Sequence, residues 1–496
     1  MKKPTRIEFR DGAEVKADGP QNESVATKLI ALALEEPDLF HNRMNDAYTT
    51  VAVEGRHETI PVRSGEFKRL LAWKFYQAED KAAQPQALTA AIHTLEAIAV
   101  HEKSRKEVHR RFASHDGAIY LNLANPEREI VKISPTAWSV IASANAPVRF
   151  LNLKGMLPLP DPVCGGTLES LRKLANVTDD DWALFIGYAL GCFLESGPYP
   201  ILALLGEAAA GKSTLTRLVK ALIDPAEPMA KTLPTDERDL MIQAESGHVL
   251  AFDNVSRLDE VMSDALCRLA TGGGLSTRSL YSDRDQTIFH GARPIVLNSI
   301  TEVMGRGDLM SRAIRVEVPP LRERKPEAAY WAEFQATHAG ILGALCDAAV
   351  VALQEVPDND WAPDVRMVDF ALFVERGEVV LGLEPESFVR AYEANQTVAN
   401  DAVVEQSAVA LAVMAFASHQ LDEWEGTTTD LLNALTAYAS EQTRKSREWP
   451  ETAKGLSNAL KRLRPNLRRA GIEVKELDRK DPITRRTLLS VFKAQK

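Results

Sequence analysis

Eight residues, Gly206-Glu-Ala-Ala-Ala-Gly211-Lys212-Ser213, constrain this chain more than any other segment. They match GxxxxGK[ST] in full. The apolar run Ile201–Leu205 comes directly before them and the amphipathic stretch Thr214–Ile223 directly after. Glycines at both ends let a loop close around an anion, with loop and helix N–H groups facing it. A continuous apolar run feeding such a loop reads as a strand buried on both faces, hence part of a parallel sheet. In this pattern Gly206, Gly211, Lys212, Ser213 and Thr214 line a phosphate cradle. Lys212 reaches the β- and γ-phosphates and Ser213 holds Mg²⁺. ATP and Mg²⁺ are therefore the expected cofactors.

Three further apolar runs extend the sheet: Val249–Phe252, Pro294–Leu297 and Ile314–Val318. The first leads into Asp253, an acid placed to orient Mg²⁺ through its water shell. Asn254 follows, and an amide cannot take a proton from water, so Glu207, Glu245 and Asp259 stand as alternative carboxylates. The second run leads into Asn298, suited to hold water or sense the γ-phosphate. Before the third lies Asp308-Leu-Met-Ser-Arg312-Ala-Ile-Arg315. Arg312, with Arg315 as second choice, can project into a neighbouring subunit's site. The expected catalytic set is Lys212, Asp253, Asn298 and Arg312, with Ser213 and Asp253 at the metal.

The order of these elements resembles the superfamily 3 helicases of viruses, satellite phages and mobile elements. It also resembles phage and prophage ATP-binding proteins that share the acidic strand and the Leu269-Ala-Thr-Gly272-Gly273-Gly274 run. The superfamily resemblance covers about residues 200–320 and implies an AAA+-type hexamer that draws single-stranded or forked DNA through a pore. In it Asp253 matches the metal-orienting acid, Asn298 the sensor and Arg312 the arginine finger. Residues 269–290 match the DNA-contacting insertion, with Arg278, Tyr281 and Arg284 in or near its hairpin. A cation beside a flat ring suits a groove that tracks single-stranded DNA.

The net charge is −10, but residues 441–496 hold 16 Lys/Arg against 7 Asp/Glu, a local +9 on an otherwise acidic body. Such a tail expects an anionic partner. Its pattern reads as a winged helix, with Lys461, Arg462, Arg468 and Arg469 clustered on the recognition helix. The four cysteines include no CxxC pair, which argues against zinc and fits a reducing cytoplasm. The longest apolar stretch, Ile186–Leu205, is interrupted by Glu195, Gly197, Pro198 and Pro200, so no membrane role is expected. His115-Asp116 before Gly117 reads as a turn. The expected class is α/β: a P-loop AAA+-like parallel-sheet core, an N-terminal α/β module, a helical region and a C-terminal winged helix. The expected divisions are 1–154 (accessory module), 155–199 (linker and helical collar), 200–325 (ATPase core), 326–423 (helical lid) and 424–496 (winged helix).

Together these features predict an ATP-dependent DNA helicase or translocase, hexameric, replicating a phage, prophage or mobile element in a bacterial cytoplasm. The alternatives are an ATP-switched initiator or loader that does not unwind, and a defence or regulatory ATPase. The N-terminal module shows no carboxylate pair for primer synthesis, so a primase or polymerase partner would be separately encoded.

Overall fold

The structure is a computed structural model that describes residues 23–493 except 37, 54–55, 279–285, 290, 300–306, 355–362, 421, 447–448 and 483–486. The chain divides into two compact units, Met1–Val108 and His109–Lys496.

In the first unit, helix α1 (Val25–Leu34) precedes strands β1 (Asp38–His41), β2 (Ala47–Val53) and β3 (Arg56–Pro61). These pair antiparallel in the order β1-β2-β3. Helices α2 (Gly65–Glu79) and α3 (Pro85–Glu102) follow. Ser64 caps α2 by accepting from the Phe67 N–H, and Pro85 opens α3, where its missing N–H is not needed. Phe67, Leu71 and Phe75, four residues apart, put one face of α2 into the core. Full burial of each stabilises by about 1.5–3 kcal/mol.

The second unit opens with an antiparallel meander, β4 (Phe112–His115), β5 (Ala118–Asn122), β6 (Glu129–Ile133) and β7 (Trp138–Ala142). Asp116 and Gly117 both have positive φ, 47° and 71°, so the β4–β5 link is the tight turn expected there. Helices α4 (Glu169–Leu174) and α5 (Asp179–Gly191) lead to β8 (Ile201–Leu205) and α6 (Lys212–Ile223). Then come α7 (Glu237–Glu245), β9 (Leu250–Val255), α8 (Glu260–Thr271), the hairpin β10 (Leu275–Arg278) and β11 (Gln286–Phe289), β12 (Ile295–Ser299), α9 (Gly307–Met310) and β13 (Ala313–Glu317). Strands β9, β12, β8 and β13 form one sheet in that order, all parallel. Their side chains alternate between two cores. Leu202, Leu204, Val296 and Ile314 join a core with α5 and α6, whereas Ile201, Ala203, Ile295 and Leu297 join α7, α8 and α9. That two-sided burial is why these strands read as unbroken apolar runs.

The expected boundary at residue 154 differs from the observed one after Val108. The meander belongs to the second unit because Phe112, Ile119, Leu121 and Val131 share a core with α5, β8 and α6. Arg111 fixes it further. Fully buried, it donates to Asp224 Oδ1 at 2.9 Å and to the carbonyls of Asn122 (2.9 Å) and Leu157 (3.0 Å). The Pro/Gly-rich segment 155–166 is likewise no free linker. Its Leu157 and Val163 N–H groups bond to the carbonyls of Pro225 and Ala339. A Cβ on Gly166 would lie 1.8 Å from the Gly340 carbonyl oxygen. Glycine there permits close backbone packing rather than flexibility.

Helices α10 (Glu327–Ala352), α11 (Val368–Gly377) and α12 (Ser387–Gln406) form the helical region. By length and composition α10 could span a bilayer, but 61% of that window is buried within the protein. The last module starts earlier than residue 424. Helix α13 (Ala408–His419) packs with β14 (Trp424–Thr427), α14 (Thr428–Thr436), α15 (Glu441–Arg444), α16 (Ala453–Arg469), β15 (Ile472–Lys480) and β16 (Thr487–Lys493). Val409, Val413 and Phe416 of α13 share one core with Leu456, Leu460, Val474 and Val491. The strands pair antiparallel as β14-β16-β15. A reciprocal capping box between Thr427 and Asp430 starts α14.

Candidate active site

The site is built where β8, β9 and β12 end. Gly206 leaves β8 under the backbone of Val318, and a Cβ there would come 2.4 Å from the Val318 carbonyl oxygen. Gly211 caps α6 at φ +92°, a left-handed conformation that glycine enters freely. Lys212, the first residue of α6, folds back over the loop. Its Nζ donates to the carbonyls of Gly206 (2.7 Å) and Glu207 (2.6 Å).

Ser213 Oγ donates to Asp253 Oδ1 at 2.8 Å. Asn298 Nδ2 donates to the same oxygen at 2.6 Å and to Thr216 Oγ1 at 2.8 Å. Asp253 Oδ2 has no partner among the described residues. Asn298 Oδ1 accepts the Asn254 N–H at 2.7 Å. The four expected polar residues Lys212, Ser213, Asp253 and Asn298 therefore converge, since the sheet inserts β12 between β8 and β9. Among the described residues no group of three or more His, Cys, Asp or Glu could hold a metal. A hydroxyl and one carboxylate nevertheless fit Mg²⁺, which takes few protein ligands and completes its shell with phosphate oxygens and water.

Asn254 has φ 56°, and the β9–β12 register shifts between Phe252 and Val255. Left-handed backbone disfavours most side chains by about 1–2 kcal/mol and is tolerated by asparagine. Asn254 thus sits where the backbone admits a short polar side chain.

A cavity of about 1400 Å³ opens over these groups, lined on its other walls by Asn176, Arg217, the 319–325 segment and Tyr330, with Thr214 also at its wall. Asn176 Nδ2 ties this wall to the loop by donating to the carbonyls of Ala210 (3.0 Å) and Pro319 (2.6 Å). Glu207, Glu245 and Asp259 are not among the lining residues; the carboxylates that line it are Asp179, Asp253, Glu323 and Glu327. Asp259 is occupied as the α8 cap, accepting from Met262 N–H at 2.8 Å. Asp179 and Glu327 pair with Arg172 and Arg217.

Arg312 lies at the opposite end of the sheet. Its carbonyl accepts from Ile201 N–H at 2.8 Å, so the length of β8, about 16 Å at 3.3 Å per residue, separates it from the glycine loop. Its guanidinium pairs with Asp308 and is 15% exposed. The backbone of Arg315 is held mid-strand by Asn395. Neither serves its own loop.

A hairpin, β10–β11, lies where the sequence expects one, with Arg278 opposite Gln286. Tyr281 and Arg284 lie outside the described residues, and only the backbone of Arg278 is described. On α16, Lys461 and Arg462 are exposed with no ion pair among the described residues. Arg468 and Arg469 differ from the expectation of free DNA contacts. Arg468 grips Glu473, with Nε 3.1 and 3.0 Å from its two oxygens. Arg469 turns to Gln396 (3.5 Å) and Asp364 (3.9 Å). Helix α16 is docked by its far end, through reciprocal Asn400–Asn466 bonds of 3.2 and 2.9 Å, which turns Arg469 inward.

Residues 168–401 match the family described as actinomycete integrative conjugative element replication protein, and residues 409–495 match the AICE RepA C-terminal domain. The chain is similar to a mobile-element replication protein. The second match begins where α13 begins, in agreement with the observed module boundary. No curated protein matches the sequence. Among solved structures, the SCCmec type IV Cch active helicase is 11% identical over 92% of each chain with a TM-score of 0.45. The apo A form of the NrS-1 C-terminal region is 12% identical over 90% of each chain with a TM-score of 0.37.

Proposed function

We propose that the protein is an ATP-dependent DNA translocase or helicase that acts as a ring, hexameric by resemblance, in replication of an integrative conjugative element. The observation that carries this reading is the Ser213–Asp253–Asn298 cluster beside a glycine loop at the head of α6. With Mg²⁺–ATP bound, the loop N–H groups and Lys212 hold the β- and γ-phosphates. Ser213 and Asp253 hold the metal, which neutralises charge on the phosphates. Asn298, fixed by Thr216, reports the terminal phosphate to β12. Arg312, remote from its own loop, stabilises charge in the cavity of the next subunit. Turnover would move the β10–β11 hairpin and with it the strand in the pore.

The order α13, β14, α14, α15, α16, β15, β16 fits the winged helix read from the sequence and supports DNA binding by the last module. With Arg468 engaged, Lys461 and Arg462 are its leading contacts. Replacing both with Ala is expected to weaken duplex DNA binding about tenfold and to flatten the log K against log salt slope by about 2. A fluorescence anisotropy titration across salt concentrations checks this, and an unchanged slope would assign the module to a protein partner instead.

A second reading, an ATP-switched loader, draws on Asn254 and on the prior pairing of Asp179 and Glu327, which narrow the candidate bases in the cavity to Glu323 and Asp253. Turnover with and without single-stranded DNA, with solution mass followed in parallel, separates the two. DNA-stimulated turnover in a ring is expected. ATP binding without turnover would sink the helicase reading and favour the loader. The family matches support an integrative conjugative element as the setting, within the phage or mobile-element range that the sequence resemblance implied.

A further inference from the structure

Three arginines from three distant segments meet at the end of the sheet remote from the glycine loop. Arg312 precedes β13, Arg366 lies between α10 and α11, and Arg469 ends α16. Among the described residues Asp308 is the one carboxylate within 4 Å of two of them, paired with Arg312 and 3.8 Å from Arg366 Nη1. Asp364, 95% exposed, stands 3.9 Å from Arg469. Three cations thus share two acids.

Within this group the arginines differ in availability. Arg312 is 15% exposed, its Nη1 is committed to Asp308, and its Nε is buried without a partner. Arg366 is 42% exposed, and its one close bond among the described residues is from Nη1 to the neutral hydroxyl of Ser311 at 2.9 Å. A guanidinium has five N–H donors in a planar fork that matches phosphate oxygens. Most donors of Arg366 are therefore open, and Arg312 and Asp308 hold its surroundings in place. Burial, then the like charge of Arg312, pushes the Arg366 pKa down, as expected of a cation lacking enough counter-charge.

We infer that Arg366 is a second catalytic arginine, acting with Arg312 on the terminal phosphate bound in the cavity of a neighbouring copy. The inference rests on the ring ATPase reading and adds to it a residue outside the sheet core. In the step it assists, water adds to the γ-phosphorus as the bond to the β,γ-bridging oxygen breaks. The products are ADP, inorganic phosphate and a proton released to solvent, and the arginines act only on the developing charge.

Arg366→Ala is expected to lower turnover about a hundredfold or more while binding a fluorescent ATP analogue with near wild-type affinity. Arg366→Lys, which keeps the charge but loses the fork, should fall between. Co-expression of Arg366→Ala with Lys212→Ala chains, purified through two different tags, gives mixed rings. In these, about a quarter of interfaces by random assortment join an intact cavity to an intact Arg366, so turnover should rise well above either parent. Full activity of Arg366→Ala overturns the inference, as does a mixed ring no better than its parents or the absence of mixed assemblies. A wild-type chain with no turnover fails at the earlier step and removes the ATPase reading with it.

Discussion

Lys212→Ala is expected to reduce ATP turnover at least about a hundredfold with the fold intact. The ammonium group sits at the mouth of the glycine loop, bonded only to the carbonyls of Gly206 and Glu207. These are weak partners that a phosphate would replace. It carries no ion pair among the described residues and belongs to no buried cluster, so its removal is expected to leave the fold intact. Losing one preorganised cation or donor aimed at a reacting group lowers turnover about 10²–10³-fold. The measurement is steady-state phosphate release beside a thermal melt. A matching melt with turnover kept would remove residues 206–213 from the chemistry altogether.

Arg111→Ala is expected to have the largest effect on stability, about 3–5 kcal/mol, because it strands a buried carboxylate. Asp224 accepts from Arg111 Nε (2.9 Å), Lys220 Nζ (2.7 Å) and the N–H groups of His248 (2.8 Å) and Val249 (3.0 Å). Burial alone would raise the Asp224 carboxyl, yet Lys220 and Arg111 hold it well below the usual carboxylate range. Its stabilising contribution is present above the ordinary carboxylate pKa and is lost only as pH falls far below it. His248 sets an earlier limit. Burial pushes its imidazole down to about 4 while Nε2 donates to the Cys192 carbonyl at 2.7 Å. The unfolded chain therefore takes up this proton first as pH falls. The contribution of neutral His248 is complete above about pH 6.5 and declines toward pH 4, by about 3 kcal/mol, and His338, which burial also pushes down to about 4, loses stability over the same window. Denaturant melts of wild type and Arg111→Ala between pH 8 and 4 test both statements. A variant within 1 kcal/mol of wild type would show that Lys220 alone neutralises Asp224.

Much of the core was legible because its signals are local. Ile201–Leu205 is the strand as read from its apolar run, and α6 starts at Lys212, directly after the glycine that caps it. Asp253 and Asn298 were legible as strand ends, but their bond was not, since 45 residues separate them. The module boundaries were the weakest reading. Gly155–Gly166 has the composition of a linker and the packing of a core strap. Helix α13 is apolar nearly throughout, so nothing in its pattern shows that it packs with Leu456 and Val491 rather than with the helices before it. Arg366 carried no sequence signal, because it lies in no motif and gains meaning only beside Ser311 and Asp308.

The sequence by itself determined the glycine loop at the head of α6, the four parallel strands and the basic character of the last helix. Loop closure, helix capping and two-sided burial are each written within a handful of consecutive residues. The tertiary structure decided the strand order that brings Asn298 between Ser213 and Asp253. It also decided the left-handed backbone at Asn254, and which cations of α16 face solvent and which face α12. These depend on contacts between residues tens to hundreds of positions apart, and local pattern carries no record of which distant partner a side chain will meet.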